Sequence, residues 1–541
     1  MSVSEAKENV IGETDMNQAT MEITSEAVYP IIATSNRARF KLKNTGILSK
    51  DSVISLEINK LGATEFGFLP FGAGIFSCLK SARLSVGGIV VDEITDPAYY
   101  KTITHSYNTP DYRNNVDSVL LGINTTMQNL AQSIQLGGIG KYVFGNSNPN
   151  YVMGSTFTGA NSIYNLDKSL KVLASTDPNN VSFTIRLSEL FNILQNIELP
   201  LFLMNKDVII DLEFKSQLLQ ATEAPAQLEY GKILCAPSTA QTTTPLIGAS
   251  VVAEKIVLFQ DTIYYTNERM EQLAQSMNAK EGLYLDYTTM IPNIADHTIS
   301  ATVGAATTLV PVSKTDLIPV ANYRIKNMFM AYTSDNLDAL GQGSAGGTIN
   351  GPFLNSNAYL GKYGLYNKFN DPTEVSIRVN DKLIFNEPIK SMTQKAHETA
   401  MVYGSKLYLN HGLYSSNGMV KDQTGLFGSS ATQFVDSALN IFPTQTEMAL
   451  EVDGADTSRM ETCIGALSFL GVNLSQGLGD DDDDTILVSK PISVRHDEKF
   501  DRMNSFTDLK MRYFNEIVQR FGVKDGQVSI LRGLPVNVPV R

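Results

Sequence analysis

Short runs in which apolar and polar side chains alternate dominate the chain from about residue 28 onward. Ala38–Lys43 alternates with a period of two, and a second run covers Ser52–Ile58 after the turn-forming sequence Asn44-Thr45-Gly46. Such alternation is typical of β-strands that bury one face and expose the other. The pattern therefore predicts a fold built mainly from short strands.

Two β-hairpins of the same kind are predicted far apart in the chain. In the first, Gly87-Gly88 separates Ala82–Val86 from Ile89–Ile94, and a Gly-Gly pair suits a two-residue turn with positive φ. In the second, Asn380-Asp381 lies in the middle of Val375–Phe385. Each hairpin leads into a more helical stretch that contains Tyr and Thr. This repetition favours two copies of one β-domain over two unrelated folds.

Helical periodicity is confined to a few segments. Leu187–Leu194 has apolar residues at i, i+3, i+4 and i+7, with Ser188 near its start as an N-cap. Met270–Met277 repeats the spacing behind Asn267, and we expect this helix to mark the boundary between two domains. Phe506–Arg520 fits either a helix or a strand. The predicted class is all-β, with two sandwiches of Greek-key or jelly-roll type.

Composition agrees with two large domains. The chain has 541 residues, of which 43% are hydrophobic and only 18% charged. Such a chain can bury large cores, so disorder throughout is excluded. The net charge of −13 argues against a nucleic-acid-binding protein, because affinity for phosphates requires an excess of Lys and Arg.

Cysteine usage and hydropathy further limit the classes of protein to which the chain can belong. Cys78, Cys235 and Cys463 lie far apart and form no CxxC pair, so neither a disulfide framework nor a zinc ribbon is expected. No apolar run is long enough for a transmembrane helix. The polar, acidic N-terminus lacks the pattern of a secretory signal, and we expect synthesis in a cytosol-like compartment.

Candidate chemistry is sparse. Gly341–Gly346 matches GxGxxG, but neither a buried strand nor a helix flanks it as a dinucleotide site requires, so it reads as a surface loop. Asp480–Asp484 is a run of carboxylates, yet Pro491 occupies the position of the EF-hand glutamate. This run is expected to be a solvated loop tip. We expect long surface loops here and at Gly341–Tyr363.

The five histidines show no ligand or catalytic spacing in the sequence, so each is interpreted as a hydrogen-bonded turn or core residue. They are His105, His297, His397, His411 and His496. The sequence therefore yields no catalytic residue, no cofactor-binding residue and no metal ligand. We therefore expect that the protein is not an enzyme.

Four segments in this order resemble the double jelly-roll major capsid proteins of double-stranded DNA viruses, most closely those of polinton-like viruses and virophages. The segments are Arg39–Ser49 with Leu69–Gly88, then Leu190–Phe214, then Ile263–Arg269, and finally Val375–Ile389. The resemblance implies two consecutive jelly-roll β-sandwiches with a few short helices. It also implies a homotrimer that forms a pseudo-hexagonal block of an icosahedral shell and needs no cofactor.

The same resemblance sets the expected domains and partners. The domains are a flexible arm at 1–27, a first jelly roll at 28–267, a linker helix at 268–282, a second jelly roll at 283–530 and a C-terminal strap at 531–541. The expected partners are further copies of the chain, neighbouring capsomers, and penton and minor capsid proteins in a virion. Direct sequence-specific binding of nucleic acid is not expected, and contact with a membrane is left open.

A competing class shares the all-β, Asn/Thr/Gly-rich composition. It comprises carbohydrate-binding surface proteins and glycoside hydrolases built on β-sandwiches. Glycan sites usually offer aromatic platforms, often Trp, and this chain contains no Trp. A glycosidase would need two carboxylates across a cleft, which the sequence alone does not exclude.

Overall fold

The fold is taken from a computed structural model of the chain. The structure describes residues 22–61, 67–68, 73–105, 116–123, 172–173, 181–215, 234–235, 248–277, 282–297, 310–334, 374–403, 469–475, 485–500 and 509–533.

Among the described residues, twenty-four strands fall into two sequential groups. The first group is β1 (Glu22–Val28), β2 (Ile32–Thr34), β3 (Arg37–Lys41), β4 (Ile47–Leu48), β5 (Val53–Leu61), β6 (Gly67–Phe68), β7 (Leu79–Val86), β8 (Ile89–Thr95), β9 (Val172–Leu173), β10 (Val181–Arg186), β11 (Val208–Phe214), β12 (Leu234–Cys235), β13 (Gly248–Val251) and β14 (Val257–Tyr264). The second group is β15 (Leu283–Asp296), β16 (Val310–Ile318), β17 (Arg324–Ser334), β18 (Glu374–Val379), β19 (Lys382–Leu383), β20 (Leu470–Asn473), β21 (Ile486–Leu487), β22 (Ile492–Phe500), β23 (Leu509–Lys524) and β24 (Gln527–Arg532).

The helices are short. The α-helices of the described residues are α1 (Pro97–His105), α2 (Ser118–Leu121), α3 (Leu187–Leu190), α4 (Ile193–Asn196), α5 (Asn267–Met277) and α6 (Met392–Tyr403). Single 3-10 turns occupy Gly74–Cys78, Leu201–Leu203 and Ala253–Lys255. In the part of the chain that the structure describes, no helix is both long and apolar enough to span a membrane.

Both groups of strands form the same β-sandwich. In the first group the sheets run β1-β14-β5-β10 and β3-β11-β7-β8, with β2 added beside β3. In the second they run β15-β23-β17-β20 and β16-β22-β18-β19. If the eight principal strands of each group are counted in chain order, both sandwiches have the order 1-8-3-6 facing 2-7-4-5. This is the jelly roll, so the fold is a double jelly roll, as predicted.

One continuous core runs through both rolls. Phe40 and Leu56 of the first roll belong to the same cluster of buried apolar residues as Phe329 and Ile377 of the second. The period-two pattern produces this core directly: in β3, Ala38 and Phe40 are buried, whereas Arg39 between them is only partly buried. Because no solvent layer divides the cluster, the rolls are packed as one body.

The two predicted hairpins are confirmed. The turn between β7 and β8 has φ of +57° at Gly87 and +88° at Gly88, which glycine adopts without strain. The turn between β18 and β19 has φ of +50° at Asn380 and +68° at Asp381. Asn and Asp are the side chains that tolerate this region best, so both local sequences encode the turn that forms.

Two of the segments with helical periodicity are not single helices in the structure. Leu187–Leu194 is not one helix, because Phe191 is extended between α3 and α4, and Ser188 does not cap it. Burial of Leu187, Leu190, Phe191 and Leu194 in the core accounts for their spacing without a continuous helix. For the segment Phe506–Arg520 the strand alternative holds over its described part, because β23 begins at Leu509 and lies between β15 and β17. Both faces of β23 are buried, which hides the period of two.

Both ends of the predicted domain layout need correction. Residues 22–27, which the sequence assigned to a flexible arm, belong to β1 and pair with β14. Leu531 and Arg532, assigned to the C-terminal strap, belong to β24 and pair with β23. The rest of the arm (1–21) and positions 534–541 of the strap lie outside the described residues. The helix α5 lies between β14 and β15.

Candidate functional site

The seam between the two rolls is the first candidate site. On the first roll it is formed by β8, α1 and α4, and on the second by β15, β23 and β24. Its apolar part includes the rings of Tyr100 and Phe514, whose centroids are 5.8 Å apart. Buried polar groups also cross the seam, and these fix the relative position of the rolls more specifically than apolar packing does.

Asp92 anchors the first of these bridges. Its carboxylate, on β8, accepts a 2.6 Å hydrogen bond from the Thr289 hydroxyl on β15. It also accepts hydrogen bonds from the backbone N–H groups of Glu93 and Ile193, each at 3.0 Å. Burial raises the pKa of Asp92 above its ordinary value, although these donors act in the opposite direction. The cost of burying the carboxyl group of Asp92 is therefore offset only in part by its hydrogen-bond donors.

Tyr287 forms a second bridge. Its hydroxyl on β15 donates to the carbonyl oxygen of Val91 on β8 at 2.5 Å, and Oε1 of Gln519 on β23 lies 2.9 Å from the same hydroxyl. All of these groups are in the interior, where an unmade hydrogen bond is costly. The bridge therefore fixes the position of β15 relative to β8 along the seam.

Arg512 forms the third bridge. The guanidinium of this β23 residue stacks on the ring of Tyr99 in α1, 3.9 Å from the ring centroid. Its Nε donates to the Thr333 hydroxyl at 3.0 Å. Asp96 lies at 3.9 Å from Nη1 and accepts a 2.8 Å hydrogen bond from the buried Lys215. The cation of the second roll thus stacks on an aromatic ring of the first roll and lies near one of its carboxylates.

A buried ionic cluster lies inside the first roll. Lys101 donates to Oε2 of Glu189 at 3.0 Å, and Nε2 of His105 lies 3.3 Å from the same oxygen. Nδ1 of His105 is 3.0 Å from Asp117. Burial would lower the pKa of His105, but the charges and hydrogen bonds of Glu189 and Asp117 dominate and raise it to about 9. His105 is therefore cationic at neutral pH and lies between Glu189 and Asp117.

A second cluster lies between the sheets of the second roll. Nε2 of His297 is 2.7 Å from Oδ2 of Asp316, and Nε2 of His496 is 2.7 Å from the hydroxyl of Tyr513. The Tyr513 hydroxyl in turn donates to Asp316. Burial and then the neighbouring His297 lower the pKa of His496 to about 3. Burial would raise the pKa of Asp316, yet hydrogen bonds from His297 and Tyr513 outweigh this and lower it.

Sequence reasoning missed both clusters. The histidines were interpreted singly, as turn or core residues, whereas the structure brings His297 and His496 together with Asp316 and sets His105 beside Asp117. His297 and His496 lie in different halves of the second roll, so no local spacing connects them. His397 is exposed on α6 and joins neither cluster.

The structure says less about the other features singled out in the sequence. Cys78 is buried, and burial raises the pKa of its thiol to about 11, which keeps it protonated. Cys235 is in β12. The remaining features lie outside the described residues: His411, Cys463, Gly341–Gly346, the rest of Gly341–Tyr363 and Asp480–Asp484.

Large apolar side chains stay exposed on the outer face of the first roll. Ile23 on β1 is 54% exposed and Phe259 on β14 is 39% exposed. The pairing register of β1 with β14 puts both side chains on the same face of the sheet. β1 is also an edge strand. An apolar face beside an open strand edge is a surface suited to protein contacts.

Comparisons with known proteins give likenesses of structure alone. No family model matches the chain, and no curated protein matches it. Among solved structures, the chain is similar to PBCV-1 VP54 fitted into a reconstruction of the virophage Sputnik, with 12% identity and a TM-score of 0.48 over 95% of this chain and 97% of that chain.

Two further solved structures are similar to the same degree. A chain of the Sputnik virophage has 10% identity and a TM-score of 0.48, with 95% of this chain and 89% of that chain covered. The mavirus major capsid protein has 10% identity and a TM-score of 0.47, with 94% and 90% covered. Because identities and TM-scores are this low, the fold is defined here by the strand order of the two rolls.

Proposed function

We propose that this chain is a major capsid protein that assembles as a homotrimer into the icosahedral shell of a double-stranded DNA virus. The observation that carries the proposal is the double jelly roll itself: one strand order occurs twice in one chain, and the two rolls share a continuous core. A sandwich that serves as a binding module or hydrolase has no need of a second, rigidly attached copy. A building block of a shell does need such a second copy.

The geometry of such a block follows from symmetry. Three copies around a three-fold axis would present six similar wedges, because each copy contributes two rolls. The wedges keep their shape only if the rolls do not move relative to one another. The buried bridges at Asp92, Tyr287 and Arg512 support that rigidity. Six similar sides would allow such a block to tile a shell.

The finer parts of the proposal concern partners and segments. The trimer would contact neighbouring capsomers and penton and minor capsid proteins, with the N-terminal arm before β1 and the strap after β24 as tethers. We place the domain boundary at the linker helix, between β14 and β15. The protein would be synthesised in the host cytosol, function in the virion and catalyse no reaction.

Charge bears on how the genome is contained. Each chain carries a net charge of −13, so a trimer carries three times that amount. Phosphates would be repelled by this field, since affinity for DNA comes from neutralisation by Lys and Arg. We therefore propose that other components neutralise the packaged DNA. A gel shift with the purified trimer should show no binding at physiological salt, and tight, salt-sensitive binding would contradict this part of the proposal.

Mass and shape in solution test the main proposal. Light scattering coupled to size exclusion should give about three times the monomer mass of 59.2 kDa, and negative-stain images should show hexagonal blocks. A monomer that binds glycans on an array would instead favour the carbohydrate-binding class. A monomer without any ligand would contradict the capsomer as well.

A further inference from the structure

The clearest unassigned site is the cluster between the sheets of the second roll. Its side chains come from four separate places: His297 follows β15, Asp316 is on β16, His496 is on β22 and Tyr513 is on β23. Strands β15 and β23 pair in one sheet, and β16 and β22 pair in the other. The cluster is therefore assembled by the sandwich as a whole, with two members from each sheet region.

The potential ligand atoms converge on one small volume. The ring nitrogens of His297 and His496 and the carboxylate of Asp316 offer three atoms that all lie within 4.8 Å of one another. Oδ2 of Asp316 is 2.7 Å from Nε2 of His297 and 3.8 Å from Nε2 of His496. Tyr513 adds a fourth potential ligand atom, its hydroxyl oxygen, 2.7 Å from Nε2 of His496.

These separations suit a small ion in tetrahedral coordination. A Zn²⁺ ion with ligands at about 2.0–2.2 Å has neighbouring ligand atoms roughly 3.3 Å apart. The observed distances between Asp316 and the two imidazoles lie on either side of that value, so each side chain needs to shift by only about half an ångström to share one ion.

The donor set selects the class of ion. Two imidazole nitrogens with one carboxylate are typical ligands of Zn²⁺ and related late transition ions, whereas Ca²⁺ and Mg²⁺ take oxygen ligands almost exclusively. The site is also sheltered: His297 and His496 are 2% and 1% exposed, and the Asp316 side chain is 10% exposed. A bound ion would be held away from competing water, with entry past the carboxylate.

We propose that His297, Asp316 and His496 bind a divalent transition-metal ion of the Zn²⁺ class, with Tyr513 at the fourth position. The ion would join the two sheets of the second roll at the end where β15 stops. Its role would be structural, because all the ligands are supplied by the interior of the sandwich. Binding would add stability to the roll beyond that of its apolar core.

Metal analysis of the full-length protein tests the site. The protein is treated with a chelator, supplied with ZnSO₄, and freed of loose metal by gel filtration. We expect about one Zn²⁺ per chain by mass spectrometry, and an increase in melting temperature on addition of the ion. His496→Gln and Asp316→Asn should lose most of the bound metal, while His397→Gln, at an exposed histidine on α6, should keep it.

A spectroscopic measurement on the unaltered protein covers the case in which a variant does not fold. X-ray absorption at the zinc edge should show nitrogen and oxygen ligands only, with the outer-shell scattering of two imidazoles. The proposal is overturned if the unaltered protein retains no stoichiometric zinc. It is also overturned if folded variants retain as much as the parent, or if sulfur ligands appear. Trimer formation is measured in a separate experiment, so a failure to bind zinc leaves the capsomer proposal unaffected.

Discussion

The hydroxyl of Thr289 in the second roll donates a 2.6 Å hydrogen bond to the carboxylate of Asp92 in the first. The same carboxylate accepts from the backbone at Ile193, so one buried group joins β8, α4 and β15. Apolar packing brings the two rolls together, but it tolerates small sliding movements. A buried carboxylate with donors on both sides of the seam prevents such sliding, because any movement along the seam would break one of its hydrogen bonds.

Thr289→Val should therefore weaken the seam. The substitution keeps the shape of the side chain and removes the donor, which leaves the buried Asp92 short of one hydrogen bond. We expect a loss of about 1–3 kcal/mol in the free energy of unfolding, measured by chemical denaturation. Hydrogen exchange should also become faster at β8 and β15. Thr315→Val, at an exposed position of β16, is the control and should change neither. Equal effects of the two substitutions would contradict the claim that the hydrogen bond from Thr289 to Asp92 stabilises the seam.

His105 should make the stability of the first roll depend on pH. Its pKa is raised to about 9 in the folded protein, against an ordinary value of 6.5. A raised pKa means that the folded state binds the proton more tightly. The contribution is therefore complete below about pH 6.5 and is lost as the pH rises through about 9. A shift of this size corresponds to about 3 kcal/mol.

The comparison of wild-type protein with His105→Gln isolates this effect. Lys101, Glu189 and Asp117 surround the imidazole. The difference in unfolding free energy between the two proteins should be largest near pH 6 and should shrink towards pH 9.5. A difference that grows with pH would show that the imidazole is neutral in the fold.

Local sequence was sufficient for the two hairpin turns of this fold. Gly87-Gly88 and Asn380-Asp381 specify their turns because the required positive φ is a property of the residues themselves. β23 could not be predicted with the same certainty. It is covered on both faces by neighbouring layers, so its apolar pattern fits a helix equally well. Pairing with β15 and β17 decides the matter, and that pairing is not local.

The polar clusters were hidden for a related reason. Asp316 and His496 come within reach of each other because β16 and β22 pair in one sheet. Nothing near either residue in the sequence marks the other. The signal available in the sequence was weaker: Asp316 and His496 each lie within an alternating strand segment, at positions that a period of two assigns to the interior. Charged or titratable residues at such positions need partners, and those partners are visible only in the folded chain.

Gly74→Ala should be far more damaging than the same change at a free turn. Gly74 has φ of +49°, and a Cβ there would lie 2.3 Å from the carbonyl oxygen of Leu121 and 2.9 Å from the backbone nitrogen of Ile123. Backbone atoms cannot rotate away. Gly88 also has positive φ but has nothing within 4 Å of the added carbon. Gly88→Ala should cost about 1–2 kcal/mol through its dihedral angles alone.

The difference between those two variants measures the clash. We expect Gly74→Ala to lose about a further 1–3 kcal/mol, as overpacked interiors do. Thermal unfolding followed by circular dichroism is sufficient to rank them. If both variants unfold at the same temperature, the segment around Leu121 moves more easily than its burial suggests.

Self-association should depend on the exposed apolar face of the first roll. Ile23 and Phe259 are 54% and 39% exposed in the single chain, so replacing both with Asp removes little from the monomer's own core. At an interface between copies, the same change would bury two unpaired carboxylates, which costs several kcal/mol at each contact. The double variant Ile23→Asp/Phe259→Asp should therefore run as a folded monomer in size exclusion with light scattering.

A charge-matched control separates the role of this face from net charge. Asn386→Asp with Gln527→Glu adds the same two negative charges at exposed positions away from β1 and β14, and this variant should remain a trimer. If it dissociates as well, general repulsion in an already acidic protein is the cause. If neither variant dissociates, the copies meet through another surface, because a desolvated pair of carboxylates at a three-fold contact would be too costly to retain.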